Sequence, residues 1–215
     1  MATPGELVEV MADALGVPAA TVVVHDRNLV IAGLRSKGGR GRSAAQVTER
    51  DAAHLLTAIL ASAQVRDSAY SVERYAKTRP VERSSGADSY KRSGIKQLAK
   101  LPGRHSFIDA LEALITAAAT GSLPKAAVIE VAALTPGTIG DIRIAGLAHK
   151  ATVHVRYGEP TPWDERKVPS ARKVDQWEAN MKKQQSATDL EQYRRVSART
   201  IFKLGRTLTL NDGGN

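Results

Sequence analysis

Five cations, Arg27, Arg35, Lys37, Arg40 and Arg42, follow one another along the chain with no acid between them. Cations at that density suit the holding of phosphates, and three of them lie in Lys37-Gly38-Gly39-Arg40-Gly41-Arg42-Ser43, where glycines leave the backbone bare. Arg40-Gly41-Arg42 sets two guanidiniums around a residue whose missing side chain does not block entry to a minor groove. Arg35 and Lys37 would hold phosphates beside it. The stretch just before is suited to a major groove, which admits one α-helix with slim, donor-bearing N-terminal turns. Pro18, Ala19 and Ala20 keep that end narrow. Thr21, Val24 and Asn28 fall along one side of such a helix, and Arg27 extends from the adjacent turn. Asn28 is matched to adenine, Arg27 to guanine, and Val23 or Val24 to thymine methyls.

Other chemistry finds less support. The chain has no Cys, which excludes disulfides, thiolate metal sites and thiol nucleophiles. Gly39-x-Gly41-x-x-Ala44 loosely fits a dinucleotide fingerprint, but no strand precedes it and cations rather than a ribose-binding acid follow. His149 and His154 fall on opposite faces of candidate strands and lack a metal-binding frame. His25 falls on the inward side of the helix as a hydrogen-bonded packing residue. Asp164 and Glu165 are adjacent, so they point apart and make a poor acid–base pair. Trp163 and Trp177 read as isolated packing anchors, since aromatic residues at 4% are too few for a single-strand stacking platform. No catalytic residues, metal or cofactor are therefore expected, and the chain is read as not an enzyme.

Recognisable elements position the basic residues. Thr3-Pro4-Gly5-Glu6 is a capping box with Pro4 at the first helical position, Leu7, Met11 and Leu15 follow at helical spacing, and Gly16 is placed to end the helix. Pro18 opens the next element and Gly33 closes it. Thr48 and Asp51 start a helix with Ala52, Leu55, Leu56, Ile59 and Leu60 inward, read as continuing to about Tyr75. Residues 78–104 carry Pro80, Gly86, Gly94 and Pro102-Gly103 among scattered cations, and read as a mobile basic linker with at most a short helix near Lys96–Leu101. Ser106 and Asp109 form another capping box, for a helix with Phe107, Leu111, Leu114 and Ile115 inward. Strands are expected at 126–133, 141–147 and 151–157, in a sheet with one covered face. A final helix is expected from a cap at Thr188 and Glu191, with Leu190, Tyr193, Ile201, Leu204 and Leu208 as its stripe. No internal repeat is visible.

The stretch ALGVPAATVVVHDRNLVIAGLRSKGGRGRS, from Ala14 to Ser43, carries a resemblance. Its Leu-Gly-Val turn, the Val22/Leu29 spacing, the Ala32-Gly33-Leu34 exit and the basic glycine-rich strip resemble the winged helix-turn-helix regulators of the MarR and ArsR type over about residues 4–60. The resemblance implies a recognition helix at 18–33 followed by a β-hairpin wing. Asp26 departs from that pattern, because such helices bury an apolar residue there, and it must face solvent or cap something. The β-branched runs Thr21–His25 and Leu29–Ala32 would also suit a hairpin turning at Asp26-Arg27-Asn28. The register of the flanking turns favours the helix.

The fold expected is α+β: a winged helix-turn-helix with its following helix at 1–77, a basic flexible linker at 78–104, and a C-terminal domain at 105–210 of helices packed on a small β-sheet. With 31 Lys and Arg against 22 Asp and Glu, the net charge of +9 points to a polyanionic partner. The excess concentrates at residues 66–104, where ten basic side chains meet four acidic ones. No secretory leader or membrane-length apolar run is seen, so a cytoplasmic, nucleoid-associated protein is expected, without membrane contact. The function read from these residues is a sequence-specific, double-stranded-DNA-binding transcriptional regulator of bacterial or phage-derived character. It would act as a homodimer or higher homo-oligomer, with helix 48–75 and the C-terminal helix as dimer surfaces. The alternative is a DNA-packaging or replication adaptor, small-terminase-like, using the same module. An enzyme with its site in residues 105–170 is the third reading.

Overall fold

The computed structural model of the chain describes residues 2–36, 46–81, 87–135, 138–145, 152–160, 170–176, 179 and 192–209. Three capping boxes start three helices, because each N-cap hydroxyl satisfies one orphan backbone N–H while the acid three residues on satisfies another. Thr3 with Glu6 opens α1 (Pro4–Leu15), Thr48 with Asp51 opens α3 (Glu49–Ala61), and Ser106 with Asp109 opens α7 (Phe107–Ala119). Residues 18–33 are helical rather than a hairpin, with α2 spanning Ala19–Ile31. Gly16 and Gly33 stop the first two helices at φ of 65° and 72°, a conformation that carries little penalty only without a Cβ. After α2 the Leu34 N–H reaches the Leu29 carbonyl and the Gly33 N–H the Val30 carbonyl, a Schellman closure.

The helix expected over 48–75 is broken. It stops at Ser62, a short 3₁₀ turn takes Val65–Asp67, and α4 (Ser68–Lys77) begins afresh. The stretch expected as a mobile linker is packed instead over its described residues, 78–81 and 87–104. It holds β1 (Arg79–Pro80), α5 (Ala87–Arg92) and α6 (Lys96–Ala99), and it buries Tyr90, Ile95 and Leu98 completely. Its anchor is a polar chain: Tyr157 Oη lies 2.7 Å from Tyr90 Oη and 2.9 Å from His105 Nε2, and His105 Nδ1 donates to the Pro102 carbonyl at 2.7 Å. All three rings are buried, so the network ties the basic stretch to the sheet with its polar atoms paired.

The sheet is antiparallel, in the order β1-β4-β3-β2-β5, with β2 at Val128–Thr135, β3 at Ile139–Ala145, β4 at Val153–Gly158 and β5 at Gln192–Ser197. Its inner face aligns Val131 with Ile142, Val155 and Val196, beneath the helices. Its outer face carries cross-strand ion pairs: Glu130 between Arg143 and Arg195, and Asp141 between His154 and Arg156. The one covered face expected from the alternation is thus present. Tyr193 lies in β5 rather than on a helical stripe, and the last helix, α9 (Ala198–Thr209), starts only after that strand; residues 171–176 form a helical stretch, α8, before it. The proposed cap at Thr188 and Glu191, with Leu190, lies outside the described residues. α9 packs on α7 and α1, and α3 packs on α7, so one core runs across the boundaries expected at 77 and 105. Among the described residues, no helix is long and apolar enough to cross a membrane.

Candidate nucleic-acid interface

α2 is held along one side and bare along the other. Val22 and Leu29 are fully buried, with His25 and Asp26 beside them, whereas Ala19, Ala20, Val23, Val24, Arg27 and Ile31 are exposed and Thr21 is half-buried. The bare side contains Ala20, Val23, Val24, Arg27 and Ile31, a run of helical spacing that lies on one face. Its large members stand well into solvent, Val23 at 50%, Val24 at 46% and Ile31 at 71% exposure.

Polar side chains on the held side clamp α2 to the break between α3 and α4. Asn28 Nδ2 donates to the Val65 carbonyl at 2.8 Å, and Ser68 Oγ donates to the same carbonyl. With the Ser68 proton so used, His25 Nδ1, 2.8 Å away, must be the donor to Ser68 Oγ. Burial, reinforced by the nearby Arg194 guanidinium, pushes the His25 pKa down to about 4. Asn28 is therefore half-buried and engaged through its amide nitrogen, a correction to its expected place as a free adenine reader. The same clamp brings Arg66, whose side chain is 78% exposed, next to α2.

The exit from α2 is fixed just as firmly. Arg35 forks onto Asp26, with Nε 2.5 Å from Oδ1 and Nη2 3.0 Å from Oδ2, and both side chains are almost fully buried. Burial raises the Asp26 pKa, while Arg35 beside it pulls the other way. Asp26 therefore faces inward, to a partner nine residues on, and not solvent. Arg35, expected on a phosphate, is spent on that pair. His54 Nδ1 donates to the Leu34 carbonyl at 2.6 Å, and Asp51 accepts from the Ser36 backbone at 3.2 Å. The chain is so delivered to the N-terminus of α3 at the point where the basic strip begins. Lys37, Arg40 and Arg42, and the wing hairpin expected around them, lie outside the described residues.

Arg194 had no sequence signal. From β5 it donates to the Ile59 and Ser62 carbonyls, both at 2.8 Å, and so satisfies the C-terminal end of α3. α3 is buried throughout Asp51–Ala61, and the apolar side of α9 packs on α1 and α7. His154 is paired with Asp141 on the outer sheet face. His149, Trp163, Asp164, Glu165 and Trp177 lie outside the described residues. Among the described residues, no group of three or more His, Asp or Glu side chains converges to hold a metal ion. No protein-family model, no curated protein and no solved structure matches the chain.

Proposed function

We propose that this chain is a double-stranded-DNA-binding transcriptional regulator that lays the bare side of α2 in a major groove. The observation that carries the reading is the division of α2: Val22, His25, Asp26 and Leu29 bind it to the body, while Ala19, Ala20, Val23, Val24 and Arg27 stand free from its N-terminal end onward. A groove-reading helix needs a rigid back and a slim, protruding front. Arg27 supplies the base-reading donor, and the aliphatic pair Val23 and Val24 suits thymine methyls. Arg66 and the strip Lys37, Arg40 and Arg42 supply phosphate and minor-groove contacts. The reading agrees with the winged helix-turn-helix resemblance of residues 4–60 and with the +9 charge. A homodimer on a repeated or palindromic site follows from the few base pairs that one helix reads.

Duplex binding measured by fluorescence anisotropy over a salt series tests it. The logarithm of the binding constant should fall against the logarithm of salt with a slope of about −0.9 per phosphate contact. Arg27→Ala should relax base preference by about 1–3 kcal/mol, and Val24→Asp should abolish binding while leaving the thermal melt unchanged. A flat salt response would end the proposal. The exposed aliphatics Val23, Val24 and Ile31 favour a second reading, a multimeric packaging or replication adaptor whose subunits meet on α2. A ring of many subunits in solution, rather than a dimer or tetramer, would select it.

A further inference from the structure

α9 has a second character on the side away from the core. Its sequence, ARTIFKLGRTLT, contains no acid, and Arg199, Lys203 and Arg206 follow one another at spacings of four and three, which stacks them on one face. Together with Lys125 from the turn after α7 and the half-buried ring of Phe202, they line a concave cavity of about 380 Å³. Arg199, Arg206 and Lys125 have no carboxylate partner among the described residues, and Lys203 pairs with Asp13 of α1. Four cations thus line the hollow, and one carboxylate among the described residues pairs with them. The helix that bears them is rigidly seated: a Cβ at Gly205 would lie 2.6 Å from that of Ala118, and Thr209 Oγ1 donates to the Ala119 carbonyl at 2.8 Å.

We propose that this cavity binds a small phosphorylated ligand with a planar ring, in class a nucleoside polyphosphate. The volume lies within the range of about 300–1,000 Å³ typical of small-molecule sites. Arg199 and Arg206 offer forked donors that match phosphate oxygens, Lys125 and Lys203 add point charges, and Phe202 gives the base a face to stack on. A chain of phosphates supplies the anions that Arg199, Arg206 and Lys125 lack, and the ring covers Phe202; a bare anion uses only half of the site. This proposal stands apart from the reading of α2, because no residue is shared.

Calorimetric titration of the full chain with ATP, pyrophosphate and adenosine, each separately, tests it. ATP should bind at one site, more tightly than pyrophosphate, and adenosine should not bind measurably. Arg199→Ala with Arg206→Ala, both exposed and so neutral to folding by circular dichroism, should weaken ATP by at least about tenfold, the loss of one charge-assisted contact. Phe202→Leu should weaken ATP but leave pyrophosphate unchanged. The proposal is overturned if ATP does not bind, if the double variant binds it as well as the parent, or if adenosine binds equally. It is also overturned if a short single-stranded oligonucleotide occupies the cavity and ATP cannot displace it.

Discussion

His25 shows how a single residue of α2 reports on the whole fold. Its pKa is about 4 when folded, against an ordinary value of 6.5, because burial and Arg194 disfavour the cation. Between those two values the unfolded chain takes up a proton that the folded chain refuses. Stability should therefore be complete above pH 6.5 and fall as the pH drops towards 4, by up to about 1.4 kcal/mol per pH unit. His54 and His105 are lowered by burial too and act in the same sense; Asp26, whose pKa burial raises, acts in the opposite sense. Urea titrations at pH 7 and pH 5 measure the slope. His25→Asn, whose amide nitrogen takes the place of Nδ1 and can still donate to Ser68, should reduce it to the part due to His54 and His105; an unaltered profile would mean that His25 is not among the groups responsible.

At the scale of elements, close approach decides more than propensity. Gly205 sits inside α9, where glycine is less favourable than alanine by about 1 kcal/mol, so Gly205→Ala should stabilise an isolated helix. In this fold the new methyl meets Ala118 at 2.6 Å, with backbone atoms behind it at 2.7 Å. The sign should reverse, to a loss of about 1–3 kcal/mol in chemical denaturation, as overpacking produces. Ala118→Gly in the same chain should recover part of that loss. A stabilising Gly205→Ala would show that α9 stands off from α7. α2 follows the same logic, since β-branched residues that favour strands in isolation are held helical by the burial of Val22 and Leu29.

Across the whole molecule, the helices near the N-terminus and the sheet share one core. α1 packs on α9 and α3 on α7, while Tyr75 Oη donates to the Leu134 and Ile139 carbonyls of the sheet at 3.2 and 2.9 Å. Such a core should unfold in a single cooperative step. Far-ultraviolet circular dichroism, which follows the helices and sheet, and near-ultraviolet circular dichroism, to which the buried Tyr75, Tyr90 and Tyr157 contribute, should give coincident melting curves. Two separated transitions would reinstate independent units divided near residues 77 and 105.

The local signals in the sequence determined the starts of α1, α3 and α7, the ends of α1 and α2 at glycines, and the inward residues of α7, because capping and left-handed turns are settled within a few residues. They also placed β2, β3 and β4 to within about two residues. Nothing in the local sequence around α9 says that Lys125 and Phe202 complete a hollow around its cations. Only the tertiary structure decided that Asp26 meets Arg35, that Arg194 caps α3, that Asn28 is turned onto Val65, and that Tyr90, His105 and Tyr157 draw a glycine- and proline-punctuated basic stretch into the core. These contacts join residues that composition and periodicity treat separately. Their free energy comes from removing both partners from water together, which no local window of sequence can register.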